Sequence, residues 1–166
     1  MTNTNIARID PAKRLLYTLI GLVAGDLMLL FVLVRHSIHA TLLAGEPAPT
    51  IADAVQTFAL YAAFSFVGWL FVGLPVALLL PATSFARLSW PLAVVVGAAL
   101  GPPALLVIFV LLGRNHIYFR NLGEIGTLFA YTILVSTVSC MVYLALLRKE
   151  ITATKAGQSQ KYFHKV

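Results

Sequence analysis

Charge is scarce in this sequence, and the places that lack it are the informative ones. Only 11% of the 166 residues are Asp, Glu, Lys or Arg, against about 25% in ordinary soluble domains. No Lys, Arg or His falls within residues 15–34, 58–80, 92–112 or 125–147. That excludes an intramembrane salt bridge, and it denies a transmembrane haem its axial histidines. The single cysteine, Cys140, excludes an internal disulfide and the paired thiols of a membrane thiol oxidoreductase. No complete nucleophile–base pair or cofactor motif occurs, so no cofactor is expected and an enzyme is disfavoured.

What fills the sequence instead is apolar. Hydrophobic residues make up 60% of the chain, where about 45–50% is usual. Too few polar residues remain to cover a soluble surface, and a bilayer is the solvent that fits. The four uncharged or nearly uncharged runs each approach the ~20 residues that cross a hydrocarbon core of ~30 Å. Backbone groups in lipid must bond within their own segment, which makes each run a helix. The short alternating segments of a β-barrel are absent from the sequence. The expected fold class is all-α, a four-helix transmembrane bundle with neighbours in sequence antiparallel. Residues 1–147 form the membrane domain, and residues 148–166 a polar, basic cytoplasmic tail expected to be mobile.

The net charge of +6 divides unevenly between the two sides. Arg8, Lys13, Arg14, Arg87, Arg148, Lys149, Lys155, Lys161 and Lys165 fall on one side. Arg35, Arg114 and Arg120 fall on the other. By the positive-inside rule both termini are cytoplasmic. Because the basic residues flank spans and no recognition motif accompanies them, nucleic acid is not an expected partner. The first run is too long for a signal peptide and carries Asp26, so it reads as an uncleaved span. Charge bias and compactness suit a bacterial inner membrane.

Local signals refine the boundaries. Asp10-Pro11 supplies an N-cap and a first-turn proline, starting a helix that runs past His36 and His39 until Gly45. Thr50 and Asp53 have capping-box spacing, so the second helix starts near Ile51. Residues 45–49 are left as the tip of a short extracytoplasmic helical hairpin. Residues 81–91 read as a short cytoplasmic loop ending at an interfacial Trp90. Residues 113–124 form the second extracytoplasmic loop, with Tyr118 and Phe119 among the headgroups.

Asp26 is the residue on which chemistry can rest. It lies roughly 16 Å along the first span, where an acid costs about 2.5–3.5 kcal/mol on insertion scales. The neutral acid, turned toward protein, is therefore its expected form. At the same depth lie Ser65 in the second span, Pro102 and Pro103 in the third, and Ser136, Ser139 and Cys140 in the fourth. Together these seven residues form a candidate midplane binding site, the alternative being plain hydrogen-bonded packing. Thr132, Ser136, Ser139 and Tyr143 share one face of the fourth helix. Gly21-x-x-x-Gly25 and Gly97-x-x-x-Gly101 read as close helix contacts. Pro102-Pro103 should kink or break the third helix, and Pro75 should kink the second. No metal site is expected, although His36 and His39, one turn apart, could bind one metal with His116.

Two functional readings follow. The first is a structural or accessory subunit that contacts other membrane proteins or copies of itself. The alternative is a small transporter, channel or lipid-handling protein using Asp26 and a proline-broken third helix.

Overall fold

The computed structural model describes residues 9–44, 51–112 and 122–163, with side-chain surroundings for 9–39, 55–110 and 125–154. The hairpin tip at 45–49, the Thr50 cap, Tyr118, Phe119 and His116 lie outside these residues. Every described element is helical: α1 (Pro11–Ala44), α2 (Ile51–Gly68), a π-helical turn (Trp69–Gly73), α3 (Leu74–Leu79), α4 (Ala82–Arg87), α5 (Trp90–Leu112) and α6 (Leu122–Phe163). Four stretches are long and apolar enough to cross a membrane: Pro11–His39, Val55–Leu79, Trp90–Val110 and Ile125–Thr154. The chain thus has the make-up of a small integral membrane protein.

The start of α1 follows from its first residues. The Asp10 carboxylate accepts from the Ala12 backbone N–H at 3.1 Å, and Pro11 takes the first helical position, where no donor is needed. α2 begins at Ile51.

The second span is interrupted, and Pro75 is the cause. A proline has no N–H and its ring crowds the carbonyl four residues earlier, here that of Phe71. The chain answers by widening one turn. Leu74 N–H reaches back five residues to the Trp69 carbonyl, and Trp69–Gly73 winds as a π-helix before α3 resumes. A π turn thus marks the place of the kink expected from Pro75.

The third span, expected to kink or break, does not break. α5 runs as one continuous helix of 23 residues that includes Pro102 and Pro103. A hydrogen bond missing at two adjacent positions leaves the remaining ladder on either side to carry the helix.

Residues 81–91 are more than a loop. Ser84 and Phe85 N–H groups donate to the Pro81 carbonyl at 3.0 and 3.2 Å, opening the short helix α4. Phe85 is buried and packs edge-to-face on Tyr143, ring centroids 5.6 Å apart. Two arginines then hold helix ends. Arg14 reaches the Ala77, Leu78 and Leu80 carbonyls at the end of α3. Arg148 reaches the Ala86 and Leu88 carbonyls after α4, and its guanidinium lies 5.0 Å from the centre of the Trp90 ring. A cation at a helix C-terminus satisfies orphan carbonyls and meets the negative end of the dipole. Lys13 and Tyr17 both bond Glu150, tying the start of α1 to α6; the Lys13 pair, at 2.5 Å, is exposed and contributes little.

α6 is the centre of the bundle. On one side it meets α1 through glycine: a Cβ at Gly21 would lie 2.7 Å from the Ser139 carbonyl, and one at Gly25 the same distance from the Val135 carbonyl. On the other it meets α5, where a Cβ at Gly97 would come within 2.6 Å of Thr137 Cα and one at Gly101 within 2.9 Å of Ser136 Oγ. Backbones approach this closely in lipid only where side chains are missing, which is what both small-residue patterns supply. Leu144 and Leu147 on α6 are fully buried, at the end where Ala77, Phe85, Ala93 and Tyr143 also pack. The second span is different. Only 11% of its apolar stretch is buried, against 28% in each of the other three.

Beyond Leu147, α6 continues without a break to Phe163. The tail foreseen as mobile is helical over 148–163. At 1.5 Å per residue α6 is about 63 Å long, twice a hydrocarbon core of ~30 Å.

Candidate functional site

Because the second span sits loosely on a tight three-helix core, space is left between them. A cavity of about 120 Å³ lies in the bundle, bounded by residues of all four spans and Phe85 of α4. Its walls are mostly apolar, with Leu22 and Leu29 from α1, Phe64 and Val72 from the second span, and Leu100 and Leu105 from α5. For scale, apolar cavities of about 150 Å³ in protein cores stay dry and take up molecules such as benzene.

Aromatic pairs stand toward the two ends of this chamber. Tyr61 and Tyr131 meet edge-to-face at 5.3 Å and 89°, and Phe85 and Tyr143 close the end nearer the chain termini. Tyr143 is pinned there, its hydroxyl 3.4 Å from the Ala77 carbonyl and 3.5 Å from Arg14 Nε.

Asp26 is half-buried, and its Oδ1 accepts from Ser65 Oγ at 2.5 Å. Ser65 also lies 3.1 Å from the Ala62 carbonyl. This pair joins the first span to the second at mid-depth, where matching positions along the spans put the two residues. Asp26 itself is not on the chamber wall, whereas Ser65, Ser136, Ser139 and Cys140 are. Pro102 and Pro103 are not on the wall either; Gly101 and Ala104, on either side of them, are. The seven candidates are therefore split between a latch, a wall and a stretch of α5 that lines nothing.

Most wall hydroxyls are already engaged. Thr18 donates to the Leu15 carbonyl at 2.8 Å, Thr132 to Phe129 at 2.9 Å, and Ser136 to Thr132 at 2.7 Å. Two buried polar atoms have no partner among the described residues, Trp69 Nε1 and Ser139 Oγ. Both residues line the chamber. Trp69 escaped notice in the sequence because it sits in an apolar run with no charge near it. The signal that could have found it is Pro75, six residues on, which forces the π turn that Trp69 opens. Gly73, at the end of that turn, leaves room for the indole: a Cβ there would lie 3.3 Å from Trp69 Cδ1.

His36 and His39 are exposed on α1. Among the described residues no three His, Cys, Asp or Glu side chains are grouped to hold a metal ion. Comparison of the chain with protein-family models, curated proteins and solved structures finds no match.

Proposed function

We propose that this protein handles a hydrophobic molecule inside the bilayer, taking it into the chamber between the second span and the other three. It does so as a small lipid-handling or solute-carrying protein of a bacterial inner membrane, with both termini cytoplasmic. The observation that carries this reading is the apolar chamber of about 120 Å³ walled by every span. Close packing is the norm for protein interiors, and a void of this size forfeits contacts that a bundle could otherwise make. The loosely buried second span supplies a route, since aromatic pairs bound the chamber toward its ends and lipid borders its side.

Filling the chamber tests the idea. Val72→Trp on the second span and Leu100→Trp on α5, both lining the chamber, should leave a folded protein that retains at least tenfold less co-purifying hydrophobic molecule by mass spectrometry. Equal retention by wild type and both variants would overturn it.

A second reading rests on a separate observation. α6 carries a helical arm of 148–163 beyond Leu147, basic in sequence and about 24 Å long at 1.5 Å per residue. Such an arm suits an accessory subunit that docks on other membrane proteins or on copies of itself. A stable larger complex in mild detergent, lost when residues 152–166 are removed, supports that role; a lone protein in both cases counts against it.

A further inference from the structure

We infer that the chamber selects an uncharged, chain-bearing molecule with a carbonyl-type oxygen, and that Trp69 Nε1–H is the donor that receives it. The inference rests on the chamber being a binding site. It goes further by naming what binds and which atom reads it.

The polar inventory of the walls leads there. An indole N–H donates and cannot accept, so a ligand that satisfies Trp69 must bring an acceptor. That N–H is buried and has no partner among the described residues, and the residue that carries it lines the chamber. A buried donor left unmade costs about 1–3 kcal/mol, so a ligand oxygen gains from it what a pure hydrocarbon cannot. Ser139 Oγ, the other unpartnered atom, lies against α1, where a Cβ at Gly25 would come within 2.7 Å of it. Gly25, beside Asp26, faces Ser139, and Trp69 lies one turn beyond Ser65, the partner of Asp26. An unpartnered donor on a wall whose other hydroxyls are mostly bonded defines a headgroup position, with the chain running out past the loosely buried second span.

Charge on the ligand is disfavoured by the same walls. A cation would give up its hydration with no carboxylate on the wall to replace it, and three of the wall hydroxyls are already bonded to backbone. Asp26, the one acid of residues 15–34, 58–80, 92–112 and 125–147, is off the wall and already takes a hydrogen bond from Ser65. An anion would fare worse, because no Lys, Arg or His lies within residues 15–34, 58–80, 92–112 or 125–147.

The test uses 2-dodecanone, dodecane and dodecyltrimethylammonium with the purified protein in lipid nanodiscs. Infrared spectra should resolve a bound population of the ketone whose carbonyl stretch lies below that of ketone dissolved in the same lipid. Trp69→Phe, which keeps a ring beside Phe66, should return the stretch to the lipid value and weaken ketone binding about fivefold, the usual worth of one hydrogen bond. Dodecane and dodecyltrimethylammonium should displace the ketone at least fivefold less well than unlabelled ketone does. If Trp69→Phe changes neither stretch nor affinity, or if the cation competes best and loses that ability in Asp26→Asn, the inference is overturned. If the bound population persists unchanged in Val72→Trp, it is the chamber reading itself that falls.

Discussion

Asp26 and Ser65 show how little holds the second span in place. An acid at mid-bilayer depth costs about 2.5–3.5 kcal/mol to insert, and one hydroxyl answers it. Hydrogen bonds between membrane helices contribute about 0.6 kcal/mol on average and up to about 1.7. A short contact to an otherwise isolated acid belongs at the upper end. In a double-mutant cycle, Asp26→Leu and Ser65→Ala should therefore couple by about 1.5 kcal/mol in reversible unfolding from mild detergent. Asp26→Asn should keep most of that stability, because its side-chain oxygen still accepts from Ser65. Strict additivity of the two single changes would mean that the contact does not hold the span.

At the scale of the element, small residues decide which helices touch. Gly97 sits where a Cβ would come within 2.6 Å of Thr137 Cα, whereas a Cβ at Gly126 meets nothing within 4 Å. Gly97→Ala should then destabilise by about 1–3 kcal/mol, as overpacking does. Gly126→Ala should be neutral or stabilising by up to about 1 kcal/mol through helix propensity. Equal thermal midpoints for the two variants would contradict the packing of α5 on α6. Much of this level could be read before any coordinates: the spans, the Asp10-Pro11 start and the glycine contacts all come from local chemistry. The prolines mark where local chemistry stops. Pro75 yields a π turn, while Pro102-Pro103 leaves a continuous helix, though both remove donors in the same way. Which of several relaxations a proline takes depends on the neighbours it packs against. α4 was illegible for a related reason: six residues are too few for a periodic signal, and Phe85 against Tyr143, with Arg148 at the α4 end, is what holds them. The chamber belongs to no element at all. It exists because the π turn and loose packing set the second span apart from the rest, and no periodicity within one helix encodes that.

The whole molecule has one end far more basic than the other, and the structure gathers working parts there. Arg14 and Arg148 cap α3 and follow α4, Lys13 pairs with Glu150, and α6 carries further basic residues outward. Nine of the twelve Lys and Arg residues belong to this end by sequence, counting Arg8, Arg87, Lys149, Lys155, Lys161 and Lys165 with the three just named. Positive charge next to a span resists transfer across a bacterial inner membrane, so the basic end should stay in the cytoplasm. Both helices that leave the bundle at this end, α1 and α6, then start and finish there, and four spans return the chain to the side on which it began. Reporter fusions after Val166 and at Ala48 should thus be active on opposite sides, cytoplasmic for the first and extracytoplasmic for the second. Fusions after Leu147 should match those after Val166, since 148–163 continues α6 without an apolar stretch to cross back. Activity of all three on one side would rule out four spans. The reverse pattern, with Ala48 cytoplasmic, would keep four spans but invert the bundle, and the basic α6 arm would then face away from any cytoplasmic partner.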